Sequence, residues 1–449
     1  KMKYRFQWNF PIVFSKHNPK KLYAFSNHVH LTENEGQSWE LISPDLTRND
    51  PSKLKSSGGP ITKDNTGVEY YATIFAVDES PLKEGLIWVG SDDGLIHITK
   101  DGGESWENIT PRGMPEWMMI NSIDASPFDE GTAYVAGTRY KLGDFTPYLY
   151  RTDNYGKSWK LITDGIESEH FTRVVRSDKT KKGLLYSGTE TGIYISFNDG
   201  KSWEKFQKNL PIVPITDLTI KDNSLIVATQ GRSLWIIDDL TVLHQLDKND
   251  SELKLYTPKD VYRVRGSGGN KSLTAGTNLP NGVIVHYYIP GFDKEKDEIT
   301  LSFHSKDGEE IKSYGTKDKE NKLEVKKGGN NFVWDIRHQG AEVLEGMILW
   351  AVNFSGAKAI PGEYIVKLKH NDKEVSKPFN IIQSPISEAL IEDMQLQFEF
   401  INEINSMVDN AHKSIIKMRS LSKKLNGFQD DYKDVESAKG LIEEAKTIV

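Results

Sequence analysis

The sequence predicts a mainly β protein: propeller-type blades over residues 1–246, a β-sandwich over 247–383 and an α-helical hairpin over 384–449. Three observations predict it. An eight-residue frame, Ser/Thr-x-Asp/Asn-x-Gly-x-Ser-Trp, occurs four times in the first half of the chain, for example as Thr99-Lys-Asp-Gly-Gly-Glu-Ser-Trp106. Short runs of strand-forming residues, broken by Gly, Asn, Asp and Pro, surround each copy and continue to about residue 383. Beyond Ser384 the apolar spacing changes to steps of three and four, the signature of a helix.

Each residue type in the frame has a physical reason to be there. The other copies are Thr32, Asn34, Gly36, Ser38 and Trp39; Thr152, Asn154, Gly156, Ser158 and Trp159; and Ser196, Asn198, Gly200, Ser202 and Trp203. An Asp or Asn side chain is expected to accept hydrogen bonds from backbone amides two residues on and so close a tight turn. Gly supplies a positive φ without steric cost. The hydroxyls satisfy the remaining backbone groups, and Trp brings a large apolar surface to lock the turn onto its neighbour.

Taken in order, residues 1–245 divide into five units at propeller-like spacing. Unit one runs from Phe10-Pro-Ile-Val-Phe14 through Lys21-Leu-Tyr-Ala-Phe25 to Trp39. Unit two carries Thr73-Ile-Phe-Ala-Val77 and Leu86-Ile-Trp-Val89, and unit three Ile120-Asn-Ser-Ile123 and Ala133-Tyr-Val-Ala136. Unit four carries Arg173-Val-Val-Arg176 and Leu184-Leu-Tyr-Ser187. The fifth, Ile215 to Leu246, replaces the frame with Ser233-Leu-Trp-Ile-Ile-Asp238, as terminal repeats often do.

Residues 247–383 alternate charged, Gly-rich loops with strands such as Val283-Ile-Val-His-Tyr-Tyr288 and Gly362-Glu-Tyr-Ile-Val-Lys-Leu368, which predicts a sandwich. Gly266-Ser-Gly-Gly-Asn270 reads as a flexible loop near the boundary. From Leu390 through Met394, Phe398, Ile401, Ile404, Val408, Ala411, Ile415, Met418 and Ser422 to Leu425 runs a near-heptad stripe. Asn426-Gly427 is expected to end that helix, and a second stripe from Val435 folds back on it, docking on the propeller or self-associating.

Composition narrows the partners. A net charge of −7 and a pI near 6.0 carry no nucleic-acid footprint. There is no apolar run long enough to span a bilayer. The chain has no Cys, which excludes disulfides and thiolate metal sites, and no cofactor is expected. Lys1-Met2-Lys3 has the look of an internal start, and the second helical stripe is unfinished at Val449. The expectation is therefore a piece of a longer protein, with further blades upstream or on another chain.

The frame is that of the Asp-box, or BNR repeat, and the chain resembles the Asp-box β-propellers. Ser57-Gly-Gly-Pro-Ile-Thr-Lys-Asp64, Gly90-Ser-Asp-Asp-Gly94, Gly188-Thr-Glu-Thr-Gly192 and Gln230-Gly-Arg-Ser-Leu-Trp-Ile-Ile-Asp-Asp239 resemble a family of large secreted bacterial proteins. That family is similar to the sortilin propeller, more distantly to the double-propeller xyloglucanases, and is often labelled glycosyl hydrolase. The resemblance implies a secreted, periplasmic or cell-surface location, a glycan or protein ligand, and membership of a cell-surface assembly. Gly329-Asn-Asn-Phe-Val-Trp-Asp335 followed by Pro361-Gly-Glu-Tyr364 is similar to immunoglobulin-like modules that follow secreted catalytic or adhesive domains.

Propeller topology then ranks the candidate residues. Turns between third and fourth strands share one face, so the Asp-box residues Asn34, Asp101, Asn154 and Asn198, with Trp39, Trp106, Trp159 and Trp203, are read as structural. Hairpins between second and third strands lie on the opposite face and bring Asp92, Asp93, Arg139, Tyr140, Lys141, Asp144, Glu190 and Arg232. Connections between blades add Glu69, Tyr70, Arg112, Glu116, Trp117, Glu169, His170 and Arg173, and Trp117 is the aromatic expected to be exposed. Acids and Arg hydrogen-bond sugar hydroxyls while Trp and Tyr stack on the ring. Glu116, Trp117, Arg139, Tyr140, Arg173 and Arg232 are thus candidate ligand-binding residues. Glycoside hydrolysis needs two carboxyl groups across the scissile bond, one of them protonated. Asp92 or Asp93 with Glu190, or with Glu116, is the candidate pair; the alternative is that these acids only form hairpin turns. His28, His30 and His97 are read as satisfied strand histidines rather than metal ligands. Two functions follow from different classes: a recognition module, and a glycoside hydrolase.

Overall fold

The computed structural model describes residues 3–55, 58, 61, 68–247, 251–264, 278–344, 346–347, 350 and 354–448. The Gly266–Asn270 loop and most of the Ser57–Asp64 motif lie outside them. The chain forms two compact units, Lys1–Leu240 and Thr241–Val449. The junction falls six residues before the expected boundary because Thr241–Gln245 is a short helix of the second unit rather than the end of the last blade.

The first unit is a succession of antiparallel sheets whose strand order follows the sequence. Blade 1 comprises Ile12–Phe14, Leu22–Phe25, Val29–Thr32 and Glu40–Leu41; blade 2 Ile74–Glu79, Ile87–Ser91, Ile96–Thr99 and Glu107–Asn108. Blade 3 comprises Met119–Ala125, Ala133–Arg139, Asp144–Thr152 and Lys160–Leu161; blade 4 Thr172–Ser177, Leu185–Thr189, Ile193–Ser196 and Glu204–Lys205. Blade 5 has three strands, Ile215–Lys221, Ser224–Thr229 and Leu234–Ile237.

The cores lie between blades, not within them, because a single sheet cannot bury either of its own faces. Tyr23, Phe25 and Val29 of blade 1 meet Ile74, Ile87 and Val89 of blade 2. Trp88, Ile96 and Ile98 of blade 2 meet Ile120, Ile123 and Val135 of blade 3. Tyr134, Ala136 and Leu149 of blade 3 meet Val175, Leu185 and Tyr194 of blade 4. Each fully buried apolar side chain of this size contributes about 1.5–3 kcal/mol.

The repeated turn has one hydrogen-bond pattern in all four copies. At the second copy the Thr99 hydroxyl accepts from Gly103 N at 2.9 Å and donates to Asp101 Oδ1 at 2.7 Å. Asp101 Oδ1 also accepts from Ser105 N at 3.0 Å. The same three bonds recur around Asn34, Asn154 and Asn198. The acceptor reaches the amide four residues on, not two, because the Gly between them has a positive φ and reverses the chain.

In the second unit, Lys254–Leu255, Val283–Ile289 and Gly328–Trp334 form one sheet. Val261–Arg263, Lys373–Gln383, Gly362–His370, Ile299–Ser305 and Glu310–Gly315 form a second, in that spatial order. Val283, Val285, Tyr287 and Trp334 from the first share one core with Leu301, Phe303, Val366 and Phe379 from the second. Phe303 stacks on Trp334 with ring centroids 4.4 Å apart.

The long helix Ile391–Tyr432 passes through Asn426-Gly427 instead of ending there. One helical Gly costs about 1 kcal/mol relative to Ala, and Phe428 and Tyr432, one turn apart with ring centroids 4.9 Å apart, bridge the next turn. The helix docks on the sandwich of its own unit, through Phe398 on His338 and His412 on Phe354. Lys439–Ile448 packs back against it. The expected stripe is only partly covered: Met394 is buried but Ile404 and Met418 are exposed. A straight helix of 3.6 residues per turn drifts away from a 3.5-residue pattern over such a length.

Candidate functional site

The blades are in register, and the register contains a repeated irregularity. In blade 2, Ile74 pairs with Ser91 and Ala76 with Gly90, so Phe75 is left over as a β-bulge. The same break leaves Asn121 in blade 3, Arg173 in blade 4 and Thr216 in blade 5 without a partner. A bulge re-aims its side chain relative to the strand. All four bulged residues line one cavity of about 690 Å³. Glycines of the second strands stand beside the bulge. A Cβ on Gly90 would lie 2.3 Å from Ile120 Cγ2, and one on Gly188 2.6 Å from Ile215 Cγ2, so each Gly lets the next first strand close in.

The remaining walls come from the hairpins and connections on the side opposite the repeated turns. They are Gln7, Asn9, Lys53, Tyr71, Asp92, Trp117, Met119 and Thr138 to Leu142. Among the sequence candidates, the structure thus brings together Asp92, Trp117, Arg139, Tyr140, Lys141 and Arg173. Lys53 was missed, as were the bulged residues Phe75, Asn121 and Thr216, because a bulge depends on pairing between strands and leaves no mark in a single strand. The glycines Gly90, Gly137 and Gly188, at a constant place in the second strands of units two to four, were the available signal.

Trp117 is half-buried rather than exposed, and its φ is +60°. Glu169, four residues before the blade 4 bulge as Trp117 is before that of blade 3, has φ +70°, and Ala72, three before the blade 2 bulge, has φ +59°, so a left-handed residue recurs ahead of these blades. Placing a Trp there carries a backbone cost that an Ala largely shares, and it puts an indole in the cavity wall. Tyr71 lies beside it at 6.5 Å, and Arg48 and Lys53 stand over its ring at 5.1 and 5.4 Å.

Arg173 is held from several sides. Its Nε donates to Glu190 Oε2 at 2.7 Å, and its guanidinium lies 5.2 Å from the Tyr140 ring and 5.1 Å from Phe171. Arg139 donates to Asp144 Oδ2 at 2.7 Å and to the Glu116 carbonyl at 3.1 Å. Lys53 and Lys141 make no close ion pair among the described residues, although the Lys141 charge is felt at Asp92.

Asp92 is the one acid among the lining residues. It is buried, and burial first, then the neighbouring Asp93 charge, push its carboxyl up to about 7 against the pull of hydrogen bonds from Thr73. Asp93 faces away: it accepts from Ser91 Oγ at 2.6 Å and from Arg48 N at 2.8 Å. Glu190 is engaged by Arg173 outside the lining set. Glu116 is 74% exposed and 3.9 Å from Arg48, and Arg232 is exposed on the blade 5 hairpin. A pocket with one acid and four cations differs from a groove flanked by two carboxyl groups.

The histidines differ from the expectation in one place. His28 and His30 bond Ser43 O and Ser26 Oγ, but Nδ1 of buried His97 has no partner, and burial lowers its pKa to about 4. Among the described residues there is no group of three His, Cys, Asp or Glu placed to hold a metal.

No family model matches the chain. It is 28% identical over 108 residues to an oligoxyloglucan-reducing end-specific xyloglucanase of Emericella nidulans, 24% of this chain and 13% of that protein. It is 24% identical over 174 residues to a probable enzyme of the same description from Neosartorya fischeri, 38% of this chain and 19% of that one. A crystal structure of an ancestral GH74 enzyme aligns with a TM-score of 0.38 and 16% identity, covering 70% of this chain and 38% of its own. The chain thus spans less than a fifth of the length of these two curated relatives, and these likenesses do not place it in a family.

Proposed function

We propose that the blade unit is a recognition module that takes an acidic glycan into the cavity opposite the repeated turns. The observation that carries this is the cavity's composition. Tyr71, Trp117 and Tyr140 bring aromatic rings to the wall, Tyr140 with one face stacked on Phe171, and Asn9, Asn121 and Thr138 offer hydroxyl-bonding groups. Four cations, Lys53, Arg139, Lys141 and Arg173, outnumber the single acid Asp92. Concave sites with a few fixed polar groups among apolar ones are the usual form of a ligand pocket. The resemblance to sortilin-type Asp-box propellers supports binding on this face, by a glycan or by a protein, and supports a location outside the cytoplasm. Among the described residues no helix is long and apolar enough to cross a membrane. An immunoglobulin-like character of the sandwich belongs to the same proposal.

A second reading rests on Asp92 itself. A carboxyl held up to about 7 at a cavity wall has the protonation a general acid needs at neutral pH. The proteins matched in sequence are by name xyloglucanases. Glu190, bonded to the lining residue Arg173, is the candidate for the second role.

One experiment separates the readings. The protein is titrated against neutral and uronate-bearing polysaccharides while retention and release of reducing ends are both measured, with Trp117→Ala, Lys141→Ala and Asp92→Asn alongside. Retention of the acidic polymers without cleavage, weakened at least about tenfold by Trp117→Ala and Lys141→Ala, is the expected result. Cleavage abolished by Asp92→Asn would replace binding with hydrolysis. Absence of both would remove the cavity as a glycan site.

A further inference from the structure

Three of the blade junctions share one device. Trp106 of blade 2 donates its indole N–H to the carbonyl of Ile42 in blade 1, at 2.8 Å. Trp159 of blade 3 donates to Ile109 of blade 2 at 2.7 Å, and Trp203 of blade 4 to Ile162 of blade 3 at 2.7 Å. Each acceptor stands three residues after its own blade's Trp. The turn glycine completes the fit. A Cβ on Gly103 would lie 2.7 Å from Ile42 O, one on Gly156 2.6 Å from Ile109 Cδ1, and one on Gly200 2.5 Å from Ile162 Cδ1.

Blade 1 carries the same half of this junction with nothing against it. Its turn has the full set of bonds around Asn34, so Trp39 is presented as the other three are. Yet Trp39 is 46% exposed, its indole N–H has no acceptor among the described residues, and Gly36 meets only the Trp39 ring. On the first strand of the same blade, Ile12 and Phe14 are 61% and 63% exposed, while Val13 between them packs towards blade 2.

We propose that this face is a docking site for a further blade of the same kind, preceding blade 1 and supplied by polypeptide outside residues 1–449. Its residue three places after the Trp would be a branched aliphatic that seats on Gly36 and offers its carbonyl to Trp39. A second copy of this chain does not supply that surface. Ile42, Ile109 and Ile162 are already engaged, blade 4 has Phe206 at the corresponding place, and blade 5 has no fourth strand. The remaining surface of the blade is compatible with such a neighbour: Tyr4 and Phe6 already cover His30 and leave Ile12, Phe14 and Trp39 open.

The test adds the missing neighbour. A fusion places an extra copy of residues 72–118, which carry Trp106 and Ile109, ahead of blade 1, and hydrogen exchange of the indole N–H groups is followed by NMR. In the parent chain, Trp39 is expected to exchange fast while Trp106, Trp159 and Trp203 are protected. In the fusion, Trp39 should slow at least about tenfold, and Ile→Gly at the added copy of Ile109 should restore fast exchange. Continued fast exchange in a folded fusion overturns the proposal. Should that fusion not fold, the same readouts are taken with residues 119–171, which carry Trp159 and Ile162. Sedimentation of the parent is expected to show a monomer across concentrations. A dimer lost in Trp39→Ala would also overturn the proposal, by assigning the face to a second copy.

Discussion

Thr73 and Asp92 hold each other through three hydrogen bonds. The Asp92 amide donates to the Thr73 carbonyl at 2.9 Å, Asp92 Oδ1 accepts from the Thr73 amide at 2.8 Å, and Oδ2 accepts from the Thr73 hydroxyl at 3.1 Å. The pair ties the entry of the first strand of blade 2 to its second hairpin, and it leaves a buried carboxyl at the cavity wall. Thr73 is fully buried, so Asp92→Ala strands its amide and should cost about 1–3 kcal/mol. Asp92→Asn keeps an acceptor for that amide and should cost less. The pH dependence has a definite sign. The carboxyl titrates at about 7 when folded and near 3.9 when unfolded, so its contribution is fully present below about pH 4 and is lost as pH rises to about 7. Relative to the parent, the Asn variant should therefore gain in melting temperature across that interval and hold constant above it. A flat difference from pH 4 to 8 would show that the carboxyl is not held protonated.

His97 acts in the opposite direction within the same blade. Burial lowers it to about 4, against about 6.5 unfolded, and its Nδ1 has no compensating bond. Its contribution is fully present above about pH 6.5 and is lost as pH falls towards 4. His97→Phe should remove that loss, so the melting-temperature difference from the parent grows in the variant's favour on acidification. Measured together, the two variants separate contributions that largely cancel in the parent's own profile.

The turns were legible in the sequence because every one of their bonds lies within eight consecutive residues. Asn34, Asp101, Asn154 and Asn198 announce themselves by spacing alone, and the strands around them follow. The cavity was legible only at its rim. Asp92, Trp117, Arg139 and Tyr140 sit in hairpins and connections whose side of a blade follows from strand count. Phe75, Asn121 and Thr216 reach the same space through bulges, and a bulge is decided by pairing with a second strand. Arg173 was found for a different reason, as a connection residue, and proves to be a bulged one. Asp92 and Asp93 could not be told apart, since adjacent residues point to opposite sides and the sequence does not say which side is the cavity. Asn426-Gly427 misled because a local helix-ending signal is outweighed by the helix continuing past it, with Phe428 and Tyr432 paired across the next turn.

The four turns differ at one atom in a way that acid should reveal. Asp101 stands where the others have Asn, and hydrogen bonds from the Ser105 hydroxyl and amide hold its carboxyl down at about 2. A depressed carboxyl contributes stability that is present above its unfolded value near 3.9 and is lost as pH falls to about 2. Asp101→Asn reproduces the turns at Asn34, Asn154 and Asn198 and should erase that part of the acid sensitivity, leaving the melting temperature at pH 7 nearly unchanged. The site is exposed, so the effect will be small and should shrink in high salt.

Gly156 and Gly36 share a backbone conformation and differ in what faces them. Their φ values are +80° and +84°, so Ala at either position bears the left-handed penalty of about 1–2 kcal/mol. At Gly156 the new Cβ also meets Ile109 Cδ1 at 2.6 Å and its Cβ at 2.7 Å, which forces the blade 2–blade 3 seam apart. Overpacking of this kind adds about 1–3 kcal/mol. At Gly36 the nearest atoms are those of Trp39 at 3.8 Å, an ordinary contact. Denaturant unfolding of the two variants should therefore show Gly156→Ala the more destabilised by about 1–3 kcal/mol. Pairing Gly156→Ala with Ile109→Ala should recover part of the seam's share, since the smaller side chain makes room for the added methyl. Equal losses at Gly36 and Gly156 would mean that the turn, and not the neighbouring blade, is what these glycines serve.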